Sequence, residues 1–165
     1  MIKKFFLIAL IILGLGFYRS QAQNIDDITA IADGPKILVL NYHQIENKAN
    51  PLAVSVSDFD TQMKFLADSG CITITPDELY AGLNGEIDLP PKPVLITFDD
   101  GYTDNYTNAF PILKKYGLQA TIFIIPAFTG VYPGYMTWEQ LKEMEANGIT
   151  IESHTLTHPK LEELP

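Results

Sequence analysis

The chain has 165 residues, 47% hydrophobic and 19% charged, which suits one globular domain with a real core and excludes both a disordered segment and two large domains. Eleven basic against 20 acidic residues give a formal charge of −9, so the chain has no electrostatic grip on nucleic acid or on an anionic membrane. A single cysteine, Cys71, rules out an internal disulfide, and its place at the head of an apolar run predicts a small buried side chain.

The first stretch differs in kind from the rest. Lys3-Lys4 precede an unbroken apolar run of 13 residues, Phe5 to Phe17, and Ser20-Gln21-Ala22-Gln23 follow. A basic start, a short apolar middle and small residues at the end describe a secretory signal peptide over residues 1–22, too short to span a bilayer comfortably. Arg19, beside the cleavage region, keeps an uncleaved anchor as the alternative. Removal of 1–22 leaves 8 basic and 20 acidic residues, a charge of −12, and no further membrane-spanning segment. The protein is therefore expected to be exported: secreted, periplasmic or on the cell surface. Residues 23–35 read as a linker, closed by Gly34-Pro35.

From Lys36 the sequence alternates. Lys36 to Leu40 predicts a strand ending at Asn41-Tyr42-His43, and Gln44 to Ala53 a polar loop. Ser57-Asp58-Phe59-Asp60 has the spacing of a helix cap, with Phe59, Met63 and Leu66 at helical spacing and Gly70 as the stop. Cys71 to Ile74 predicts a second strand, and Thr75-Pro76-Asp77-Glu78 caps a short helix. Pro90 to Pro93 stiffens the approach to a central strand, Val94-Leu95-Ile96, which runs into Thr97-Phe98-Asp99-Asp100-Gly101-Tyr102. A helical stretch follows that Pro111 must break or restart, ending at Gly117. Ala120 to Ile125 is a fourth strand. A Gly-, Pro- and Tyr-rich loop leads to the cap Thr137-Trp138-Glu139-Gln140 and a helix ended by Gly148. Ile149 to Glu152 is a fifth strand, and Pro159 to Pro165 looks like the beginning of another helix. Apolar strands alternating with helices predict an α/β fold with a parallel sheet. Five units do not close a barrel of eight, which leaves an open sheet or, as favoured here, a fragment. No glycine-rich nucleotide motif is present.

Chemistry collects where strands end. His43 follows strand one, Asp99 and Asp100 end strand three, and His154 and His158 follow strand five; in parallel α/β folds these ends share one face. Alone, Asp99-Asp100-Gly101 reads as a turn. Histidines four apart, joined by one carboxylate, make three ligands with open positions, suited to catalytic zinc or to non-haem iron and poorly to calcium. Adjacent aspartates on an extended segment point opposite ways, so one can ligate while the other acts as a base toward substrate. That combination suits hydrolysis of an amide or ester. Tyr102, Tyr132, Tyr135 and Trp138 lie on or beside loops at the same strand ends, where sugar rings could stack on them; Trp138 could equally pack beneath its own helix.

Thr97-Phe98-Asp99-Asp100-Gly101-Tyr102 resembles the first motif of the polysaccharide deacetylases, the NodB-type carbohydrate esterase family, and His154-Thr155-Leu156-Thr157-His158 resembles the second. The resemblance runs from about Lys36 to the end and implies a distorted (β/α) barrel, incomplete in this chain, with 36–165 as the N-terminal part of the domain. It implies Asp99 as general base, Asp100, His154 and His158 as ligands of a divalent metal, most often zinc, and an acetylated polysaccharide as substrate. The family's third motif, an arginine that orients the base, would lie beyond Pro165. Its late leucine-x-x-histidine motif is also missing downstream, but Leu40-Asn41-Tyr42-His43 has that spacing. A branch similar to exported poly-N-acetylglucosamine deacetylases carries Tyr-His at this place, which implies His43 as the acid; a histidine hydrogen-bonded to backbone near the site is the alternative. The expected function is removal of acetyl groups from an N- or O-acetylated polysaccharide. The alternatives are a non-catalytic glycan-binding protein of the same fold, with Tyr102, Tyr135 and Trp138 as contacts in either case, and a non-haem iron enzyme.

Overall fold

A computed structural model describes residues 36–164, so the expected signal peptide (1–22) and linker (23–35) lie outside the described residues. The elements are β1 (Leu38–Tyr42), β2 (Gln44–Ile45), β3 (Ala53–Val54), α1 (Val56–Asp68), β4 (Ile72–Thr73), α2 (Pro76–Leu83) and β5 (Pro93–Asp100). A π-helical turn (Asn105–Ala109), α3 (Phe110–Tyr116), β6 (Thr121–Ile124), α4 (Trp138–Glu145), β7 (Thr150–Ser153) and a 3-10 turn (Leu161–Glu163) follow.

All five expected strands join one sheet, and every pairing in it is parallel. The order is β1-β5-β6-β7. β1 lines one edge of β5 from Leu38↔Val94 to Tyr42↔Phe98. β4 and β6 share the other edge, β4 at Pro93 and Val94 and β6 from Thr97 to Asp100. Gln119 N–H donates to Thr73 Oγ1 (3.0 Å) between them. Parallel pairing brings the C-terminal ends of β1, β5, β6 and β7 to one side of the sheet.

The alternation along β5 separates its two faces. Val94, Ile96 and Phe98 are fully buried and join the main core, whereas Leu95, Thr97 and Asp99 point to the other face. Phe98 meets Tyr42 and Phe59, with ring centroids 5.4 and 5.8 Å away, and Tyr42 meets Phe59 edge-on at 5.1 Å. Each such buried side chain contributes about 2 kcal/mol. Phe59, Met63 and Leu66 of α1, Ile112 and Leu113 of α3, and Leu141 and Met144 of α4 complete this core.

Both threonine caps form full capping boxes, Thr75 with Glu78 and Thr137 with Gln140. The first helix begins earlier than its sequence suggests: Ser55, not Ser57, is the cap, accepting from the Asp58 N–H at 3.1 Å. Ser55 and Ser57 are both competent caps by chemistry, and the short β2-β3 pairing within the expected polar loop sets the chain direction at Ser55. Cys71 is only partly buried, because β4 is two residues long and Cys71 packs at the rim of the core. The final segment makes one 3-10 turn. Among the described residues no helix is long and apolar enough to cross a membrane.

Pro111 restarts the helix, as its missing N–H requires. The turn before it is π, with the Phe110 N–H donating to Asn105 O, five residues back. π-turns occur mostly as single turns, often at functional sites. Here the turn presents Asn105 and Asn108 toward the end of β1.

Candidate active site

The two adjacent aspartates face different partners, although not through simple strand alternation. Asp100 has φ +71°, and the Gly101 N–H donates to Asp99 O at 2.9 Å. A bond spanning two residues around a positive φ describes a γ-turn of the rare, strained kind. Gly101 itself has φ +79°, and a Cβ there would lie 3.0 Å from Ile124 Cγ2, so position 101 needs glycine on both counts. The strand thus ends in a knot of strained backbone that turns the buried Asp100 carboxyl away from Asp99.

Asp100 Oδ1 is buried and has no hydrogen-bond partner. His154 Nε2 and His158 Nε2 stand 3.7 and 3.8 Å from it, and one ligand atom from each of the three residues fits within 4.8 Å of the others. The segment after β7 that carries the histidines is not helical. His154 is fixed by its N–H to Ile124 O (2.7 Å) at the end of β6, and Leu156 O accepts from Ala127 N–H (3.1 Å). Thr155 and His158 have φ +63° and +56°, and the His158 N–H donates to Thr155 Oγ1 (3.0 Å). These reversals bring the imidazoles to a ring separation of 4.8 Å. Two of the four non-glycine residues with positive φ among the described residues, Asp100 and His158, are therefore candidate ligands. Such conformations persist where surrounding structure over-determines them, and they cluster at functional sites. An orphaned buried oxygen facing two imidazoles fits a divalent cation such as zinc.

Asp99 sits in a separate polar line. Its Oδ2 accepts from Asn41 Nδ2 (3.0 Å), and His43 Nε2 lies 3.8 Å away, beyond direct hydrogen bonding. The His43 imidazole faces Asp99, and it is the His43 carbonyl that takes a hydrogen bond, from Asn105 Nδ2 at 2.8 Å. Asn108 Nδ2 donates to Ile45 O (2.7 Å), and Asp104 Oδ1 accepts from the Ile45 N–H (2.8 Å) and from Asn105 Nδ2 (3.1 Å). Three side chains around the π-turn thus hold residues 43–45. Asn41, Asp104, Asn105 and Asn108 belong to no motif; their signal in the sequence is an excess of amides and acids on an otherwise apolar strand end and helix start.

Burial, reinforced by Glu46, pushes the Asp104 carboxyl above its usual range. A raised carboxyl favours folding fully below the unfolded pKa, near 4, and that contribution is lost as pH rises through the folded value. Asp104→Asn keeps an acceptor for Ile45 and removes the charge. Chemical denaturation should find the variant more stable than the parent at pH 7, with the difference shrinking toward zero at and below pH ~4. A variant less stable at pH 7 would show that the anionic form is needed there.

The aromatic residues occupy one loop system. Tyr102 stacks on Tyr135 (centroids 5.1 Å, planes 26° apart), and Phe128 meets Tyr132 and Tyr135 at 5.1 Å each. Thr103 N–H to Gly134 O (2.8 Å) and Met136 N–H to Gly101 O (3.0 Å) pin this loop to the γ-turn. Burial first, then the Asp100 charge and Tyr135, push the Tyr102 phenol well above its usual pKa, so it stays protonated. Trp138, half exposed at the start of α4, lies beside Gly130.

Comparison with known proteins follows the same lines. A family model described as polysaccharide deacetylase matches residues 86–165. The chain is 48% identical over 126 residues to the Bacillus subtilis protein named "Putative polysaccharide deacetylase YxkH", covering 76% of this chain and 44% of that protein. It is 36% identical over 140 residues to a Staphylococcus aureus poly-beta-1,6-N-acetyl-D-glucosamine N-deacetylase, covering 72% and 47%. The solved structure of the Streptococcus pyogenes deacetylase PplD in complex with acetate superposes with a TM-score of 0.75 at 35% identity, over 79% of this chain and 61% of that one. The chain spans about half the length of the curated relatives it matches.

Proposed function

Because the chain belongs to the polysaccharide deacetylase family, we propose that it is part of an exported, metal-dependent hydrolase that removes acetyl groups from an N-acetylated polysaccharide. The observation that carries this reading is the buried, unpartnered Asp100 Oδ1 facing His154 and His158, with Asp99 held next door beside His43. A divalent cation held by Asp100, His154 and His158, zinc by its taste for imidazole and carboxylate, would supply Lewis acidity to an acetyl carbonyl and make water more acidic.

The chain's own residues supply proton transfers. Asp99 takes a proton from water as the water oxygen bonds to the acetyl carbon. His43 gives a proton to the nitrogen as the carbon–nitrogen bond breaks, leaving an amine and acetate. Solvent then takes the proton from Asp99 and returns one to His43, since both side chains keep partial exposure. Tyr102, Tyr135 and Trp138 offer aromatic faces for sugar rings. The N-acetylglucosamine polymer is preferred because a relative at 36% identity is named for that substrate.

Acetate release settles the matter. The full-length gene product with zinc should deacetylate β-1,6-linked N-acetylglucosamine oligomers, lose activity to a chelator and regain it with zinc. Oligosaccharide binding without any acetate would favour a glycan-binding protein instead. Faster release from O-acetylated xylan would move the substrate class to esters, and activity dependent on ferrous iron and oxygen would favour the iron enzyme.

A further inference from the structure

Asn41 stands out as a polar residue on an otherwise apolar strand whose side chain reaches a proposed catalytic group. The parallel register sets Asn41 opposite Thr97, so Asn41, Thr97 and Asp99 share one face of the sheet. Asn41 Nδ2 donates to Asp99 Oδ2 at 3.0 Å. On its other side, Asn41 Oδ1 lies 3.3 Å from Thr97 Oγ1, which is also 3.1 Å from Leu40 O.

The orientation of that amide follows from its neighbours. An ionised carboxylate only accepts hydrogen bonds, so Asn41 must present nitrogen to Asp99; the reversed amide would set oxygen against oxygen. The single proton of the buried Thr97 hydroxyl is shared between Leu40 O (3.1 Å) and Asn41 Oδ1 (3.3 Å), and its share toward the amide oxygen reinforces the same choice. The two oxygens of Asp99 are thereby made inequivalent. Oδ2 is occupied by Asn41 and flanked by His43, whereas Oδ1 has no hydrogen bond among the described residues.

We infer that Asn41 is a positioning residue: locked by Thr97, it fixes the rotation of the Asp99 carboxylate and leaves Oδ1 as the oxygen that receives the proton. This rests on the deacetylase reading above. The bond to a charged acceptor is of the stronger kind, and a reacting group misplaced by about 1 Å can lose a hundredfold in rate.

In the full-length, zinc-loaded protein, Asn41→Ala should lower kcat by about tenfold to a hundredfold, with KM and zinc content unchanged. Thr97→Val should lower kcat less, and Thr97→Ser should restore it. Combining Asn41→Ala with Asp99→Asn should cost no more than Asp99→Asn alone, because Asn41 acts through that carboxylate. Additive losses, or a changed KM at constant kcat, would overturn the proposal. If the unmutated protein releases no acetate, it is the deacetylase reading that fails, and crystal structures decide Asn41 separately: the Asp99 carboxylate should rotate in Asn41→Ala, and an unmoved carboxylate would refute the positioning role.

Discussion

Asp99→Asn should reduce acetate release by about a hundredfold to ten-thousandfold, the usual contribution of a general base, while zinc content stays at the parental level. The substitution is isosteric. An asparagine at 99 can still accept from Asn41 Nδ2 through its carbonyl oxygen, so the line of contacts from Thr97 to Asp99 survives and only the proton-accepting function goes. Asp100, turned away by the γ-turn, keeps its place facing His154 and His158. His43→Ala belongs to the same experiment. It should retain zinc and the fold, because the bonds holding residues 43–45 come from backbone groups and from Asp104, Asn105 and Asn108, not from the imidazole. Its turnover should fall because the leaving amine loses its proton donor. Undiminished activity in Asp99→Asn would remove Asp99 from the base role, and a His43→Ala protein that fails to fold would make His43 structural.

How much of this was legible in the sequence depends on the range of the interactions. Thr75-Pro76-Asp77-Glu78 and Thr137-Trp138-Glu139-Gln140 announce their helices because a capping box is closed within four residues. The parallel sheet follows from the apolar runs alternating with helices, and with it the gathering of His43, Asp99, Asp100 and His154 at one sheet end. What escaped was set by contacts distant in sequence. Ser55 displaces Ser57 as the cap, with β3 pairing with β2 just before it. Asn41 and Asn105 are ordinary amides until β5 and the π-turn place them 58 and 62 residues away in sequence from Asp99 and His43. Strand alternation predicts that Asp99 and Asp100 face different ways, and they do, but a strained turn at Asp100, invisible to any pattern of period two, sets the direction there.

That strained, buried position leads to a change of sign between two conditions. Asp100→Asn should make the zinc-free protein more stable, by about 1 kcal/mol, because a buried carboxylate oxygen without a partner is costly and asparagine removes its charge while tolerating the same positive φ. Asp100→Gly should gain as well, since glycine takes φ +71° without strain. With zinc the order reverses. The parent gains stability by mass action, about 2.7 kcal/mol at a hundredfold excess over Kd, whereas the variants lack the carboxylate that completes the ligand set and gain little. Thermal unfolding with and without zinc therefore should show curves that cross: variants above the parent when metal-free, below it when loaded. Variants that bind zinc as tightly as the parent would remove Asp100 from the ligand set. Variants less stable in both conditions would mean that the Asp100 carboxylate supports the fold by itself, and that the γ-turn is held for structure and not kept strained for the sake of a cation.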